Sequence, residues 1–116
     1  MTTTDEGAIL ILTTLPDPAA AKRMVARLVE RRLVACGTVV PGVTSVYRWQ
    51  GNVETARETQ VILKTRGARR GEAEAAVAAL HPYEVPEILV IEVSGGAESY
   101  LRWIEAETSV TTEDAQ

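Results

Sequence analysis

The stretch from Val53 to Thr65 constrains this chain most, because it is too long a strand for a domain of this size to absorb. At about 3.3 Å per residue it reaches roughly 43 Å, whereas a compact chain of this length has a radius of gyration of roughly 13 Å. Its end nearest the preceding turn, Glu54 to Gln60, is polar, while Val61 to Leu63 is apolar. Trp49-Gln50-Gly51-Asn52 supplies glycine and asparagine for the positive-φ positions of a tight hairpin, so the tip of that hairpin is predicted to project beyond its own core. A two-stranded ribbon alone is marginal in water. One that stays ordered is expected to pack against another subunit.

The rest of the chain supplies a frame for that ribbon. AILILTT, from Ala8 to Thr14, reads as a first strand covered on both faces. Asp17-Pro18 starts a helix, with Ala21, Met24, Val25, Leu28 and Val29 on one apolar stripe, Lys22, Arg23, Arg27 and Glu30 outside it, and Arg31 and Arg32 at the close. Leu33 to Val40 predicts a second strand, bent at Pro41-Gly42 and resuming at Val43. Gly67 to Leu80 predicts a second helix that ends near His81, since the residue before Pro82 is pushed out of helical geometry. Glu87 to Val93 follows as a fourth strand whose ILVI centre implies cover on both faces, and Ala97 to Glu107 as a short helix docking Tyr100, Leu101 and Ile104. The order β-α-β-β-α-β plus a terminal helix is that of an α+β, ferredoxin-like split βαβ domain, with both main helices on one sheet face. The doubly apolar strands and the overlong hairpin both predict an oligomer that covers the other face.

Composition then narrows function. A net charge of −4 disfavours a surface that neutralises a run of phosphates, although a local basic patch is compatible with it, and no nucleic-acid partner is expected. The longest apolar run, Ala8 to Leu12, is far short of the roughly 20 residues that span a bilayer, so no membrane association is expected and a cytoplasmic location is. The single cysteine, Cys36, excludes an intrachain disulfide and an all-cysteine metal site. Residues 1 to 7 and 108 to 116 are polar and are expected to fray around one domain spanning 8 to 107.

Chemistry concentrates in His81-Pro82-Tyr83-Glu84-Val85-Pro86-Glu87, where two prolines stiffen a loop carrying an imidazole, a phenol and two carboxylates. Such a loop suits a cation or a polar small molecule; equally, the prolines can simply end a helix and start a strand, with the polar groups solvated. His81, the only histidine, is the candidate metal ligand or general base, with Tyr83 or Glu84 as its partner in a small-enzyme alternative. Cys36 sits among Val34, Ala35 and Val39 and reads as a buried structural thiol. Lys64 can pair with Glu58 or Glu84 or stand over a polar ligand, and the ion pair is the expected role. Trp49, with Tyr47 two residues before it, fits an interface anchor or ordinary cross-strand packing. Gly-rich phosphate loops, nucleophile elbows and paired-histidine helices are absent from the sequence.

Six blocks in order carry a resemblance: Thr13-Thr14-Leu15-Pro16, Leu33-Val34-Ala35-Cys36, Pro41 with Ser45-Val46-Tyr47-Arg48-Trp49, Ile62-Leu63-Lys64-Thr65, HPYEVPEIL from His81 to Leu89, and Tyr100-Leu101-Arg102-Trp103. Together they resemble the CutA family of divalent-cation tolerance proteins over about residues 8 to 107. The resemblance implies a trimer similar in architecture to the PII signalling proteins, no enzymatic reaction, and an association with tolerance of copper and other divalent cations. It implies no required cofactor beyond a cation such as copper. Its ligand cleft, expected between subunits, maps to Trp49, Glu58, Lys64, Tyr83, Glu84 and Trp103. Some members are said to hold copper through a first-strand cysteine and an adjacent histidine pair; those positions read Thr13 and Leu80-His81 here. The acidic residue usual in the hairpin turn is Gln50. The expected function is therefore a trimeric protein that binds a divalent cation or a small polar ligand between subunits.

Overall fold

In a computed structural model, residues 7–109 are described, and they form β1 (Ala8–Leu15), α1 (Pro18–Glu30), β2 (Cys36–Trp49), β3 (Asn52–Arg66), α2 (Arg70–Leu80), β4 (Leu89–Glu92) and α3 (Glu98–Glu107). A single 3₁₀ turn, Gly67–Arg69, precedes α2 and takes up the start of the helix predicted from Gly67. The four strands make one antiparallel sheet in the order β2-β3-β1-β4. That order, with α1 and α2 as the two crossovers, is the ferredoxin-like arrangement expected of the element sequence.

Alternation along the strands explains where the core sits. On β1, Ile9, Ile11, Thr13 and Leu15 are buried while the residues between them are half-exposed, and β3 repeats this with Thr59, Val61, Leu63 and Thr65. Ala21, Met24 and Leu28 of α1 and Ala73, Ala76 and Val77 of α2 close over that face. The cover on both faces predicted for β1 and β4 is therefore supplied by the chain itself only in part. On β4, Val90 packs on the core whereas Leu89 and Ile91 are 56% and 45% exposed.

The ends of α1 follow from local chemistry. Asp17 caps it by accepting from the Ala20 amide at 2.8 Å. It closes with Arg32 at φ 59°, and the Arg32 and Leu33 amides donate back to the carbonyls of Val29 and Leu28, the Schellman pattern with arginine where glycine is usual. Leu33 to Ala35, predicted as strand, are instead a buried lead-in to β2, tied down by Thr65 Oγ1 donating to the Leu33 carbonyl. Helix α3 lies on the sheet face opposite α1 and α2: Tyr100 meets Cys36, which shares its side of the sheet with Leu10 and Lys64, and Arg66 donates to Thr108. Ile104 docks as predicted, but Tyr100 is 45% exposed. Thr108 is fully buried, so the ordered body runs past residue 107; the other tail expectations fall on residues outside the described ones, apart from Gly7 and Ser109.

The hairpin projects. The molecule measures 48 × 30 × 22 Å with a radius of gyration of 15.2 Å, above the roughly 13 Å of a compact chain of this length. The register of β2 on β3 shifts between Val40 and Val43, at the bend expected from Pro41-Gly42. At the tip, the positive φ values belong to Gln50 (50°) and Gly51 (86°), not to Gly51 and Asn52 as expected, because Asn52 already pairs with Trp49 as the first residue of β3. Val46 and Val53, on the outer half of the ribbon, are each 66% exposed.

Candidate functional site

The loop between α2 and β4 begins where Pro82 forces His81 into extended backbone, φ −81° and ψ 135°. Released from the helix, the His81 ring turns back onto β1. Its Nε2 lies 2.9 Å from the Thr14 carbonyl and 3.0 Å from Thr13 Oγ1, and its Nδ1 accepts from the Tyr83 amide at 3.1 Å. An Nδ1 that accepts a backbone N–H carries no proton, so the hydrogen is on Nε2 and points at Thr14. Burial lowers the affinity of the ring for a second proton, against the opposing pull of the Thr14 carbonyl and of Glu58.

Tyr83 stacks obliquely on that ring, with centroids 4.9 Å apart, and sends its hydroxyl to Glu58 Oε2 at 2.7 Å. Burial first, and the Glu58 carboxylate second, push its ionisation well above the ordinary phenol range. Behind this pair a pocket of about 610 Å³ runs between the loop and the hairpin, lined among others by Tyr47, Trp49, Glu58, Tyr83, Glu84 and Glu87. Tyr47 and Trp49 share a strand face because strand side chains alternate, and both are 44% exposed at its mouth. The site thus joins an aromatic wall to a cluster of oxygen acceptors, which suits a cation or a polar molecule with positive or donor groups.

Of the six cleft residues expected from the sequence, Trp49, Glu58, Tyr83 and Glu84 meet here. Lys64 and Trp103 do not line the pocket. Lys64 is on the same face of β3 as Glu58 but six residues further on, roughly 20 Å away; its ammonium donates to Thr38 Oγ1, so the expected ion pair with Glu58 does not form. Trp103 packs against Tyr100 on α3, with ring centroids 5.5 Å apart. Tyr47 and Glu87 line the pocket without having been among the expected cleft residues; the signal for Tyr47 was its spacing of two from Trp49.

The geometry bears on two chemical expectations. Both ring nitrogens of His81 are engaged, so neither metal ligation nor general-base work has a free lone pair to use, and among the described residues no three His, Cys, Asp or Glu side chains form a group that could hold a metal ion. Cys36 is half-buried rather than buried, 3.6 Å from Tyr100 Oη on the sheet face turned away from His81, which excludes a Cys-His pair within one chain.

Residues 9–107 match the family model described as CutA1 divalent ion tolerance protein. The divalent-cation tolerance protein CutA of Pectobacterium atrosepticum is 41% identical over 99 residues, covering 85% of this chain and 90% of its own. A crystal structure of CutA from Xylella fastidiosa superposes with a TM-score of 0.87 at 42% identity, over 89% of this chain and 99% of that one. A protein described as the periplasmic divalent cation tolerance protein CutA from Archaeoglobus fulgidus superposes at 0.85 with 33% identity, over 88% and 99% of the two chains.

Proposed function

The chain belongs to the CutA1 divalent ion tolerance family, and from that premise we propose that it is a binding protein rather than an enzyme, a homotrimer whose intersubunit clefts take a divalent cation or a small polar ligand in the response to metal ions. The observation that carries this reading is the half-built pocket. Its aromatic wall stands on a ribbon that one chain leaves bare, with Tyr47 and Trp49 exposed on the pocket side and Val46 and Val53 exposed on the other. A second copy seated on that ribbon, and on the exposed Leu89 and Ile91 of β4, would close the pocket and bring Lys64 and Trp103 to it from another chain.

The donor set favours one class of ligand. Glu58, Glu84, Glu87 and the Tyr83 phenol offer oxygen, but among the described residues the three carboxylates do not converge into a metal-holding group, so a divalent cation would need donors from a second subunit, whereas an organic cation could use the aromatic wall as well. Copper prefers imidazole or thiolate, and His81 would have to break its bonds to Thr14 and Tyr83 to supply one. A cytoplasmic location belongs to the same reading; among the described residues no helix is long and apolar enough to cross a membrane.

Sedimentation combined with calorimetric titration tests the proposal. Three copies of the 12.6 kDa chain are expected to sediment together, and a monomer overturns the cleft. Titrated with manganese, zinc and copper, the wild type is expected to bind at least one of them and Glu58→Gln to lose that binding. Unchanged heats in Glu58→Gln place the ligand elsewhere, and cell fractionation settles the compartment.

A further inference from the structure

On a chain of net charge −4, helix α1 and its C-cap carry a row of cations: Arg23, Arg27 and the capping Arg31 recur every four residues along about 12 Å of axis. Among the described residues none of the three has a carboxylate partner, whereas Arg69, Arg70 and Arg102 are paired with Glu72, Glu74 and Glu98. Solvated arginines on a helix are ordinary; what lies beside these is not. Between α1 and the last turn of α2 runs a groove of about 470 Å³, with Leu15, Met24 and Leu80 on its floor and Arg23, Arg27 and Glu30 on its rim. This groove adjoins the pocket at the hairpin at Pro82, which lines both, and shares no other lining residue with it; the inference does not rest on the cleft reading.

We propose that the groove is a docking site for an acidic amphipathic segment of a partner protein, whose apolar side chains reach the floor while its carboxylates meet Arg23 and Arg27. Charge complementarity sets the sign of the partner. Guanidiniums one helical turn apart match carboxylates at the same spacing on a partner helix, each able to accept a forked pair of hydrogen bonds. The width of the floor sets its class. Leu15 and Met24 are core residues only 1% and 3% exposed, so the apolar surface the groove offers is that of Ala20, Leu80 and Pro82, a narrow patch that suits one or two side chains of a peptide better than a flat lipid surface. A nucleic-acid strand has no apolar side chain to place there and would bring phosphates against Glu30. Arg31 continues the row beyond the groove, which fits a segment longer than a small metabolite.

The test uses a fluorescent helical peptide of about sixteen residues with leucine and glutamate on opposite faces, and a control of equal charge with glutamine in place of leucine. The full-length wild-type protein is expected to bind the first peptide at least about tenfold more tightly than the control, with affinity falling as salt rises. Arg23→Gln/Arg27→Gln, checked for unchanged melting temperature and assembly state, is expected to lose that binding by about tenfold or more; both substitutions are at the surface, so the fold is expected to survive. Equal binding of the two peptides, or an unaffected double variant, overturns the proposal. So does tighter binding of phosphatidylserine vesicles or single-stranded RNA that the same double variant abolishes.

Discussion

The Tyr83 hydroxyl donates to Glu58 Oε2 across 2.7 Å, and this one bond ties the loop after α2 to the middle of the hairpin strand β3. It sets the width of the pocket between them. It also keeps the Glu58 carboxylate turned toward the loop, where a ligand would find its remaining lone pairs.

Tyr83→Phe removes that bond and leaves the ring. A hydrogen bond to a carboxylate in a partly solvated site contributes about 1 kcal/mol, so the melting temperature is expected to fall by roughly 4–8 °C for a domain of this size. Thermal denaturation at one fixed protein concentration measures it. The same hydroxyl ties stability to high pH: its folded-state ionisation lies above that of the unfolded chain, so its contribution is complete below about pH 10 and is lost as pH rises beyond. A wild type that loses no more stability than Tyr83→Phe in that range contradicts the assignment.

His81 couples the loop to acid. Burial holds its folded-state proton affinity below the ordinary value of 6.5, so the unfolded chain binds the proton more readily. Stability from the neutral ring is complete above about pH 6.5 and is expected to decline as pH falls below it. Denaturant titrations between pH 7.5 and 5 read the slope, which His81→Gln is expected to flatten.

Two glycines predict opposite responses to alanine. A Cβ on Gly37 would stand 2.8 Å from Val25 Cγ1 and 3.0 Å from Leu63 Cδ2, so Gly37→Ala is expected to overpack the sheet beneath α1 at a cost of about 1–3 kcal/mol. Gly71, near the start of α2, has open space around it, and Gly71→Ala is expected to stabilise by about 0.5 kcal/mol through the unfolded chain. Denaturant midpoints of the two variants should move in opposite directions.

Gln50 is held at φ 50°, in the left-handed region that asparagine tolerates better than glutamine. Gln50→Asn gives the Asn-Gly pair that suits this hairpin turn and is expected to raise stability by a few tenths of a kcal/mol, read by denaturant midpoint. A fall in stability would show that the Gln50 side chain contributes more than its backbone costs.

Much of the fold was legible because its signals are local. Asp17-Pro18 marks a helix start, the residue before Pro82 marks a helix end, and alternation along β3 separates Val61 and Leu63 from their polar neighbours. The hairpin's excess length could be read from residue count alone. Half of the pocket was legible as well, since Tyr83 and Glu84 lie in the densest polar loop of the chain and Trp49 beside the tightest turn. Legibility failed where position depends on register. Lys64 and Glu58 share a strand face, yet a strand is extended, so same-face residues six apart cannot meet one ligand within a single chain. The turn failed for the same reason: a shift of one residue in pairing decides whether asparagine or glutamine takes the positive φ.

By itself, then, the sequence determined the elements, their order, the bent and overlong ribbon, and the loop in which polar chemistry collects, because periodicity and the backbone limits of proline and glycine act within a few residues. Tertiary structure alone decided that His81 is spent on Thr14 and the Tyr83 amide, and that Tyr83 holds Glu58 across 25 positions of sequence. Those outcomes rest on which side chains meet when strands pair and helices pack, and contacts between distant segments leave no periodic trace along the chain.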